Sequence, residues 1–442
     1  MQRHVPARAR GPGVNDTARG ASQGGLDASV RVLAPESPGT GLSDFLATTK
    51  GLRRAPFSEE RRAIVGALSA RFLKDPWLRR DPASVAVGYW MRPAAVARLE
   101  AAFERKQADD PSSVRVPVGR VFHVAPSNVD TLFVYSWVLS YLCGNANVVR
   151  VSQDPTTAVE TMLRAISAVA EEHPELAESN RFVTYEHQDD VTAAFSAWCT
   201  HRILWGGNET IAALRPLPLN PHASERVFGS KFSYAVVGLQ RYQAANAAER
   251  ERLAAAFFND LFWFDQMACS SPHIVFWVGG EQGWPQAIEE FERRLQAEVS
   301  RREYVPSASN SVHRLVHAFG LAADAEVRVG LEHPGFIGVQ VPDARTLDKR
   351  ICGGGLIRHA RIDDLGQLEA FVSDEDQTVT HFGFDRDELA RLATRIGAGG
   401  VDRIVPIGEA LSFQVIWDGF DLIDDLTRKV TVQVSRSDRS GD

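Results

Sequence analysis

Apolar and polar positions along the chain alternate between a period typical of buried strands and one typical of helices. VGRVFHVAP and NVVRVS are short apolar runs that predict strands, and TLFVYSWVLSYLC between them predicts a helix. The pattern continues with the helix TTAVETMLRAISAVAEEH, a strand near RFVTYE, the helix DDVTAAFSAWC and the strand HRILW. Repeated βαβ units predict a parallel sheet with helices on both faces and ligands at the carboxyl ends of its strands.

A second α/β segment follows the predicted strand KFSYAVVG. It contains a helix near residues 247–258, the strand IVFWVGG, the helix QAIEEFERRLQAEVSRR, and strands near FIGVQV and QTVTHFGF. The sequence therefore predicts an α/β protein with a nucleotide-binding domain over 43–238 and a catalytic domain over 239–405. Residues 406–442 are predicted to return to the first domain or to bridge to a neighbouring subunit.

The first 42 residues are dense in Gly, Ala, Arg, Pro and Ser and contain few large apolar side chains. Such a composition buries too little surface to offset the entropy of ordering. We therefore predict a disordered tail over residues 1–42.

Charge and cysteine usage exclude several classes of protein. With 49 Lys and Arg against 56 Asp and Glu, the 442-residue chain has a formal net charge of −7, which argues against a nucleic-acid partner. Four cysteines without a CxxC pair argue against a zinc ribbon or a disulfide framework and favour a reducing cytoplasm. His313 and His317 lack the glutamate of a zinc protease motif, so no metal is predicted. No apolar run approaches the roughly 20 residues that span a bilayer.

The segment FDQMACSSPH contains the first candidate for chemistry, Cys269. A lone cysteine is most often a small buried hydrophobe, but this one follows an aromatic run and precedes Ser-Ser-Pro, where a chain turns. Backbone N–H groups directed at its sulfur would lower the thiol pKa and favour a nucleophile, so both interpretations stay open. Asn128, in HVAPSNVDTLF, is either a helix N-cap or a donor to a developing oxyanion.

Two further candidate sites lie at strand ends. Arg150, Ser152 and Gln153 end the strand NVVRVS, where a nucleotide ribose lies in sheets of this type, although Arg150 alone reads equally as a surface arginine. Gly206 and Gly207 follow HRILW and precede a helix. They suit the close approach of a pyrophosphate, or form only a turn.

In this order, the four segments resemble the aldehyde dehydrogenase superfamily, and more closely its LuxC branch of long-chain acyl-CoA reductases. The resemblance runs over about residues 118–429, and its most specific pieces are HVAPSNVDTLF, GNANVVRVSQD, FDQMACSSPH and DRIVPIGEALSFQVIWDGFDL. It implies an aldehyde dehydrogenase-like fold with a Rossmann-type cofactor domain. It also implies that Cys269 is the nucleophile, that Asn128 shares the oxyanion hole with the Cys269 N–H, and that Gly206 and Gly207 lie under the cofactor pyrophosphate.

Three positions refine what the resemblance implies. Arg150 stands in the place of the lysine that meets the adenosine ribose, and Gln153 stands where NAD-preferring members carry glutamate. Without that carboxylate a 2′-phosphate is not repelled, which favours NADPH. In RVFGSKFSYAVV, Val227 replaces the glutamate that activates water for hydrolysis of the acyl-enzyme, which favours a reductase that starts from an activated acyl group.

The expected function is NADPH-dependent reduction of an acyl thioester, a fatty acyl-CoA, to an aldehyde through a Cys269 acyl-enzyme. The alternatives are an oxidative aldehyde dehydrogenase with its base elsewhere, or a non-catalytic nucleotide-binding scaffold in an acyl-transfer complex. His273 or His222 is a candidate proton shuttle, against a surface or capping role for both. The resemblance further implies an acyl-activating synthetase as partner and a homo-oligomer formed through the C-terminal strand.

Overall fold

The computed structural model describes residues 23–35, 41–51, 54–324 and 327–433. The helices are α1 (Gln23–Ser29), α2 (Leu42–Thr48), α3 (Glu59–Lys74), α4 (Pro82–Trp90), α5 (Pro93–Ala108), α6 (Leu132–Leu142), α7 (Thr157–Glu172), α8 (Pro174–Ser179), α9 (Asp189–Trp198), α10 (Asn208–Leu214), α11 (Leu239–Ala244), α12 (Ala247–Phe262), α13 (Trp284–Arg301), α14 (Ala308–Asp324), α15 (Arg386–Ile396) and α16 (Leu422–Leu426). The strands are β1 (Arg31–Ala34), β2 (Ser113–Pro117), β3 (Arg120–Val124), β4 (Ala146–Arg150), β5 (Asn180–Thr184), β6 (His201–Trp205), β7 (Ser224–Phe228), β8 (Phe232–Gly238), β9 (Pro272–Val278), β10 (Arg328–His333), β11 (Phe336–Gln340), β12 (Leu356–Ile362), β13 (Asp376–Phe382), β14 (Arg403–Pro406), β15 (Ile416–Trp417), β16 (Phe420–Asp421) and β17 (Thr427–Thr431).

The first sheet has six strands in the order β1-β5-β4-β3-β6-β7. Strands β3 to β7 are parallel, and the predicted strands and helices from β3 to β6 are confirmed. Helix α6 is apolar almost throughout because residues 133–142 are all buried. The strand order reverses direction at β3, with β4 on one side and β6 on the other. A reversal of this kind opens a crevice at the carboxyl ends of the strands.

The second sheet has seven strands in the order β10-β11-β12-β9-β8-β13-β14, and all of them are parallel except β10. The chain leaves the first sheet after Phe228 and enters the second at Phe232. The predicted domain boundary after residue 238 therefore lies too late. Because β8 is buried along its whole length, its apolar pattern predicts a strand without indicating which sheet it joins.

The prediction of a disordered tail is wrong for residues 23–34, which form α1 and β1. Strand β1 pairs antiparallel with β5 at the edge of the first sheet. Leu26 and Val30 are buried in the same apolar cluster as Phe45 of α2. The short run VRVL is sufficient here because the sheet already offers a strand edge for pairing. Residues 1–22 and 36–40 of the predicted tail lie outside the described residues.

The C-terminal segment packs on the first domain. Phe413, Trp417 and Leu422 are buried in the same apolar cluster as helix α6. Strand β17 pairs antiparallel with β2 in a two-stranded sheet. Within the described residues this segment therefore contacts the first domain, and the bridge to a neighbouring subunit stays a prediction. Residues 434–442 lie outside them.

Candidate active site

A cavity of about 540 Å³ lies at the carboxyl ends of the first sheet, and residues from both domains line it. Strands β3, β4 and β6 each contribute the loop that follows their last residue. The structure brings all seven predicted site residues to this one cavity: Asn128, Arg150, Ser152, Gln153, Gly206, Gly207 and Cys269. Parallel strands bring distant positions together in this way because their carboxyl ends share one edge of the sheet.

The turn that carries Cys269 has an unusual backbone. Asp265 and Gln266 have φ values of 50° and 61°, in the left-handed region that non-glycine residues rarely adopt. The fully buried Gln266 side chain holds this turn, because its Nε2 donates to the carbonyls of Pro272 at 2.9 Å and Leu356 at 3.0 Å. Its Oε1 accepts the Gly355 N–H at 3.0 Å. The turn is therefore fixed to the beginnings of β9 and β12.

The Cys269 thiol lies in a partly buried position whose electrostatics oppose ionisation. Its carbonyl accepts a hydrogen bond of 2.7 Å from the Ser233 hydroxyl, which fixes the backbone. Burial raises the thiol pKa and the nearby Asp418 charge raises it further, whereas the backbone N–H of Lys231 and that of Cys269 itself lower it. The net pKa lies above the ordinary value, so the lowered pKa considered from the sequence is not found. The thiol rests protonated and needs a base when it reacts.

Asn128 lies in the loop between β3 and α6. Helix α6 begins at Leu132 and its N-cap is Thr131, so the interpretation of Asn128 as that N-cap is wrong. The Asn128 amide instead donates from Nδ2 to the Met267 carbonyl at 2.8 Å, two residues before Cys269. This hydrogen bond joins the asparagine of the first domain to the cysteine turn of the second.

The end of β4 presents an incompletely paired cation to the cavity. The Arg150 guanidinium lies 4.7 Å from the centre of the Tyr185 ring. Its buried Nε has no hydrogen-bond partner among the described residues. Ser152 and Gln153 follow in the loop and also line the cavity. A buried N–H without an acceptor fits an anionic ligand at this place.

Gly206 and Gly207 lie between β6 and α10, with Gly207 as the N-cap of α10. Neither glycine has a positive φ. A Cβ on Gly206 would come no closer than 3.5 Å to Thr210, and one on Gly207 no closer than 3.8 Å to Ser230, which are ordinary contacts. Packing within the protein therefore does not require glycine here, and the absence of a Cβ leaves the backbone open to the close approach of a ligand. The residues at the ends of β4 and β6 thus fit a dinucleotide.

Sequence reasoning missed one wall of the cavity, to which the C-terminal segment contributes Asp418 and strand β13 contributes Gln377. Asp418 and Gly419 have φ values of 47° and 74° and join the two strands of the hairpin β15–β16. Gln377 Nε2 donates to Asp418 Oδ1 at 2.6 Å. Burial raises the Asp418 pKa to about 6. The Asp-Gly pair signals a hairpin turn in the sequence, but no local pattern indicates that this turn reaches the cysteine.

The other predicted participants take ordinary positions. Neither Val227 nor His222 is among the described residues that line the cavity, and Val227 packs against the core of the first domain. His273 does line it, but the ring is buried against Phe232. Burial lowers the His273 pKa to about 3, with a further contribution from Arg358, so the imidazole is neutral near pH 7.

The described part of the chain was also searched for metal sites, disulfides and membrane-spanning helices. No three His, Cys, Asp or Glu side chains there are arranged to hold a metal ion. All four cysteines are free thiols. No helix within these residues combines the length and the apolar character needed to cross a bilayer.

Comparison with protein families identifies the chain's relatives. The model of the acyl-CoA reductase (LuxC) family matches residues 99–335, more than half of the chain. The chain belongs to the LuxC family. The long-chain acyl-protein thioester reductase of Aliivibrio fischeri is 26% identical to this LuxC-family chain over 315 residues, which cover 68% of the chain and 60% of that relative. The chain thus spans about 60% of the length of a curated relative that it matches.

Solved structures show the same fold at low sequence identity. A NAD-dependent benzaldehyde dehydrogenase from Corynebacterium glutamicum has a TM-score of 0.58 and 16% identity, and covers 93% of this chain and 90% of its own. A glyceraldehyde-3-phosphate dehydrogenase from Methanocaldococcus jannaschii, complexed with NADP, has a TM-score of 0.59 and 11% identity, with coverages of 88% and 93%. The predicted aldehyde dehydrogenase-like fold is confirmed.

Proposed function

We propose that this LuxC-family chain reduces an acyl thioester to an aldehyde with NADPH, through an acyl group carried on Cys269. One observation carries the proposal. A single cavity brings the Cys269 thiol and the Asn128 amide together with the strand ends that fit a dinucleotide. Membership of the acyl-CoA reductase family supports the same chemistry.

In the first step, Cys269 Sγ attacks the thioester carbonyl carbon, a new carbon–sulfur bond forms, and the bond to the donor's thiol breaks. The negative charge that develops on the carbonyl oxygen needs donors. Asn128 Nδ2 has two N–H groups, of which one is bonded to Met267, and the second is available to this oxygen together with the Cys269 N–H. A donor of this kind contributes about 3 to 4 kcal/mol to stabilisation of the transition state.

In the second step, NADPH, when bound, supplies the two electrons and the hydrogen that reduce the acyl carbonyl carbon. Gly206 and Gly207 would hold its pyrophosphate, and Arg150 would pair with the 2′-phosphate of the ribose. Gln153 brings no negative charge to that position. The carbonyl oxygen takes one proton from solvent as the hydride is added, and the thiohemiacetal on Cys269 then collapses to the aldehyde and the free thiol.

An oxidative aldehyde dehydrogenase is the second candidate, because one observation favours it. Val227 provides no carboxylate to activate water, but Asp418 places one in the same cavity as Cys269. If Asp418 activates water, a preformed acyl-enzyme releases free acid. If it does not, the acyl-enzyme persists until a thiol or the reduced cofactor arrives. Measurement of acid release from acylated protein separates the two candidates.

The proposed acyl group is apolar, and the donor is acyl-CoA or an acyl group held by a partner synthetase. Aromatic side chains line the cavity near Cys269, among them Trp263, Phe264 and Phe413. Phe262, which precedes Trp263 in the chain, packs instead in the core of the second domain. The relative from Aliivibrio fischeri is named for an acyl-protein thioester, which supports a protein-bound donor. The cytoplasmic location remains a prediction.

The test is consumption of NADPH by the purified chain with acyl-CoAs of short, medium and long acyl chain. We expect aldehyde from the parent and none from Cys269→Ala, with the preferred chain length visible in kcat/KM. Consumption of NADPH that persists in Cys269→Ala contradicts the covalent route. Inactivity of the parent with every acyl-CoA contradicts free acyl-CoA as donor and favours a protein-bound donor or the scaffold alternative.

A further inference from the structure

The resting state of Cys269 raises a question that the proposed function leaves open. A buried thiol with a raised pKa needs a group that accepts its proton, and the sequence offers only histidines for that task. His273 is held neutral by burial and stacks on Phe232, and His222 is not among the described residues that line the cavity. The wall of the cavity contributed by the C-terminal segment contains a carboxylate instead.

We propose that Asp418 accepts the proton of the Cys269 thiol as the cysteine attacks, and returns it to the departing thiol of the acyl donor. The inference rests on the proposed function, because it assigns a base and acid to that same acyl transfer. Atoms and electrons balance within the step. The Cys269 S–H bond breaks, the carbonyl carbon exchanges one sulfur for another, the donor's sulfur gains the proton, and nothing is oxidised or reduced.

Three structural features prepare Asp418 for this role. Its side chain is only 8% exposed but lines the same cavity as Cys269. Its Oδ1 accepts the hydrogen bond from the buried Gln377, which orients the carboxyl group within the cavity wall. Its charge is also close enough to raise the Cys269 pKa. A hairpin turn alone requires none of these features.

The charges around Asp418 suit a base that works near neutral pH. Burial raises its pKa to about 6, and the Asp402 charge also raises it. The Gln377 hydrogen bond and the positive charges of Lys231 and Arg403 lower it. Lys231 is itself held in place, because its Nζ donates to the Asp374 carbonyl at 2.8 Å. Asp418 is therefore mostly ionised at pH 7 and can still give its proton back, which suits general base and acid catalysis.

Asp418→Asn is a sharp test, since Asn-Gly forms the same type of hairpin turn as Asp-Gly and the amide oxygen of the substituted side chain can still accept from Gln377. We expect aldehyde formation to fall about 10²- to 10⁴-fold. Alkylation of Cys269 by iodoacetamide, followed on the Cys269 peptide by mass spectrometry, should instead become faster at a fixed pH below the thiol pKa. Removal of the Asp418 charge lowers that pKa and increases the thiolate fraction.

Asp402→Asn supplies a second test that does not alter the proposed base. Asp402 lies 3.9 Å from Lys231 Nζ and does not belong to the described lining of the cavity. In the parent, kcat/KM should rise with pH through the Asp418 pKa. Removal of the Asp402 charge lowers that pKa, so the rise should move to lower pH while the plateau stays within about twofold. An unmoved rise overturns the assignment to Asp418.

The outcomes separate this inference from the proposed function. Slower turnover with faster alkylation in Asp418→Asn supports the inference, whereas unchanged turnover, or a parallel fall of both rates, overturns it. If Asp418→Asn stops release of free acid from acylated protein but leaves aldehyde formation unchanged, the inference is also overturned. That result favours the oxidative candidate. If the parent forms aldehyde neither from acyl-CoA nor from a protein-bound acyl group, the proposed function fails and the inference fails with it. An unchanged alkylation rate in Asp418→Asn overturns the inference alone, because the Asp418 charge then does not reach the Cys269 thiol.

Discussion

Asn128 is a residue whose two sequence interpretations the structure separates, because its amide contacts the cysteine turn rather than the first turn of α6. Asn128→Ala removes a proposed oxyanion donor, and we expect kcat for aldehyde formation to fall about 10²- to 10³-fold. The measurement is steady-state kinetics alongside alkylation of Cys269. Asn310→Ala is the matched control, since Asn310 also holds the turn through Asp265 but is not among the described lining residues. Equal losses in both variants would contradict the oxyanion role.

The predicted preference for NADPH depends on the absence of a negative charge at Gln153. Gln153→Glu places a carboxylate beside the proposed 2′-phosphate, and repulsion on the order of 2 kcal/mol should lower kcat/KM for NADPH about 10- to 100-fold. The NADH value should change little. Asp154 also lines the cavity, so Asp154→Asn is the comparison. A larger change in cofactor preference from Asp154→Asn than from Gln153→Glu would show that the wrong position was chosen.

At the scale of the element, the βα alternation of the first domain was predictable because it is written in local apolar periods. Local periods do not predict which sheet a strand joins, because pairing depends on residues far away in the chain. The predicted boundary after residue 238 therefore puts β8 in the wrong domain. Strand β1 was missed for the same reason. Its four residues become a strand only where the edge of β5 is free to pair with them.

The residues of the candidate site also differ in whether local sequence patterns predict them. Positions at the ends of β3, β4 and β6 were predictable, because parallel strands place their carboxyl ends on one edge of a sheet. The place of Asp418 in the site was not predictable. Its turn signature is local, but its approach to Cys269 depends on how the C-terminal segment packs on the first domain. The raised Cys269 pKa also depends on tertiary packing, because burial is its largest cause.

The turn between α6 and β4 provides a test of packing between elements. Gly144 has a φ of 93°, and a Cβ there would lie 2.6 Å from Pro117 Cγ and 2.7 Å from the Arg54 carbonyl oxygen. We expect Gly144→Ala to lower the free energy of unfolding by about 2 to 4 kcal/mol, from left-handed strain and overpacking together. The measurement is the urea midpoint. A Cβ on Gly397 meets nothing within 4 Å, so Gly397→Ala should leave the midpoint nearly unchanged, and equal losses would refute the packing argument.

At the scale of the whole molecule, the two-stranded sheet β2–β17 is the surface on which the predicted association of copies can be tested. Two strands alone are marginally stable in water, and β17 pairs with no strand other than β2 among the described residues. Val114, Val430 and Val432 expose 48%, 41% and 51% of their surface on or beside this sheet. Unpaired strand edges with exposed valines favour pairing with another chain. We therefore propose that the predicted homo-oligomer forms through this sheet.

Val430→Asp should weaken that association, because it places a charge in an apolar contact between strands. Light scattering across a dilution series should show the parent as an oligomer and the variant shifted toward monomer. Val305→Asp is the matched control, since Val305 is 83% exposed in the connection between α13 and α14. The urea midpoint of each variant separates weaker association from unfolding. If Val430→Asp stays as oligomeric as the parent while Val305→Asp dissociates, the result contradicts an interface at β2–β17 and favours one in the second domain.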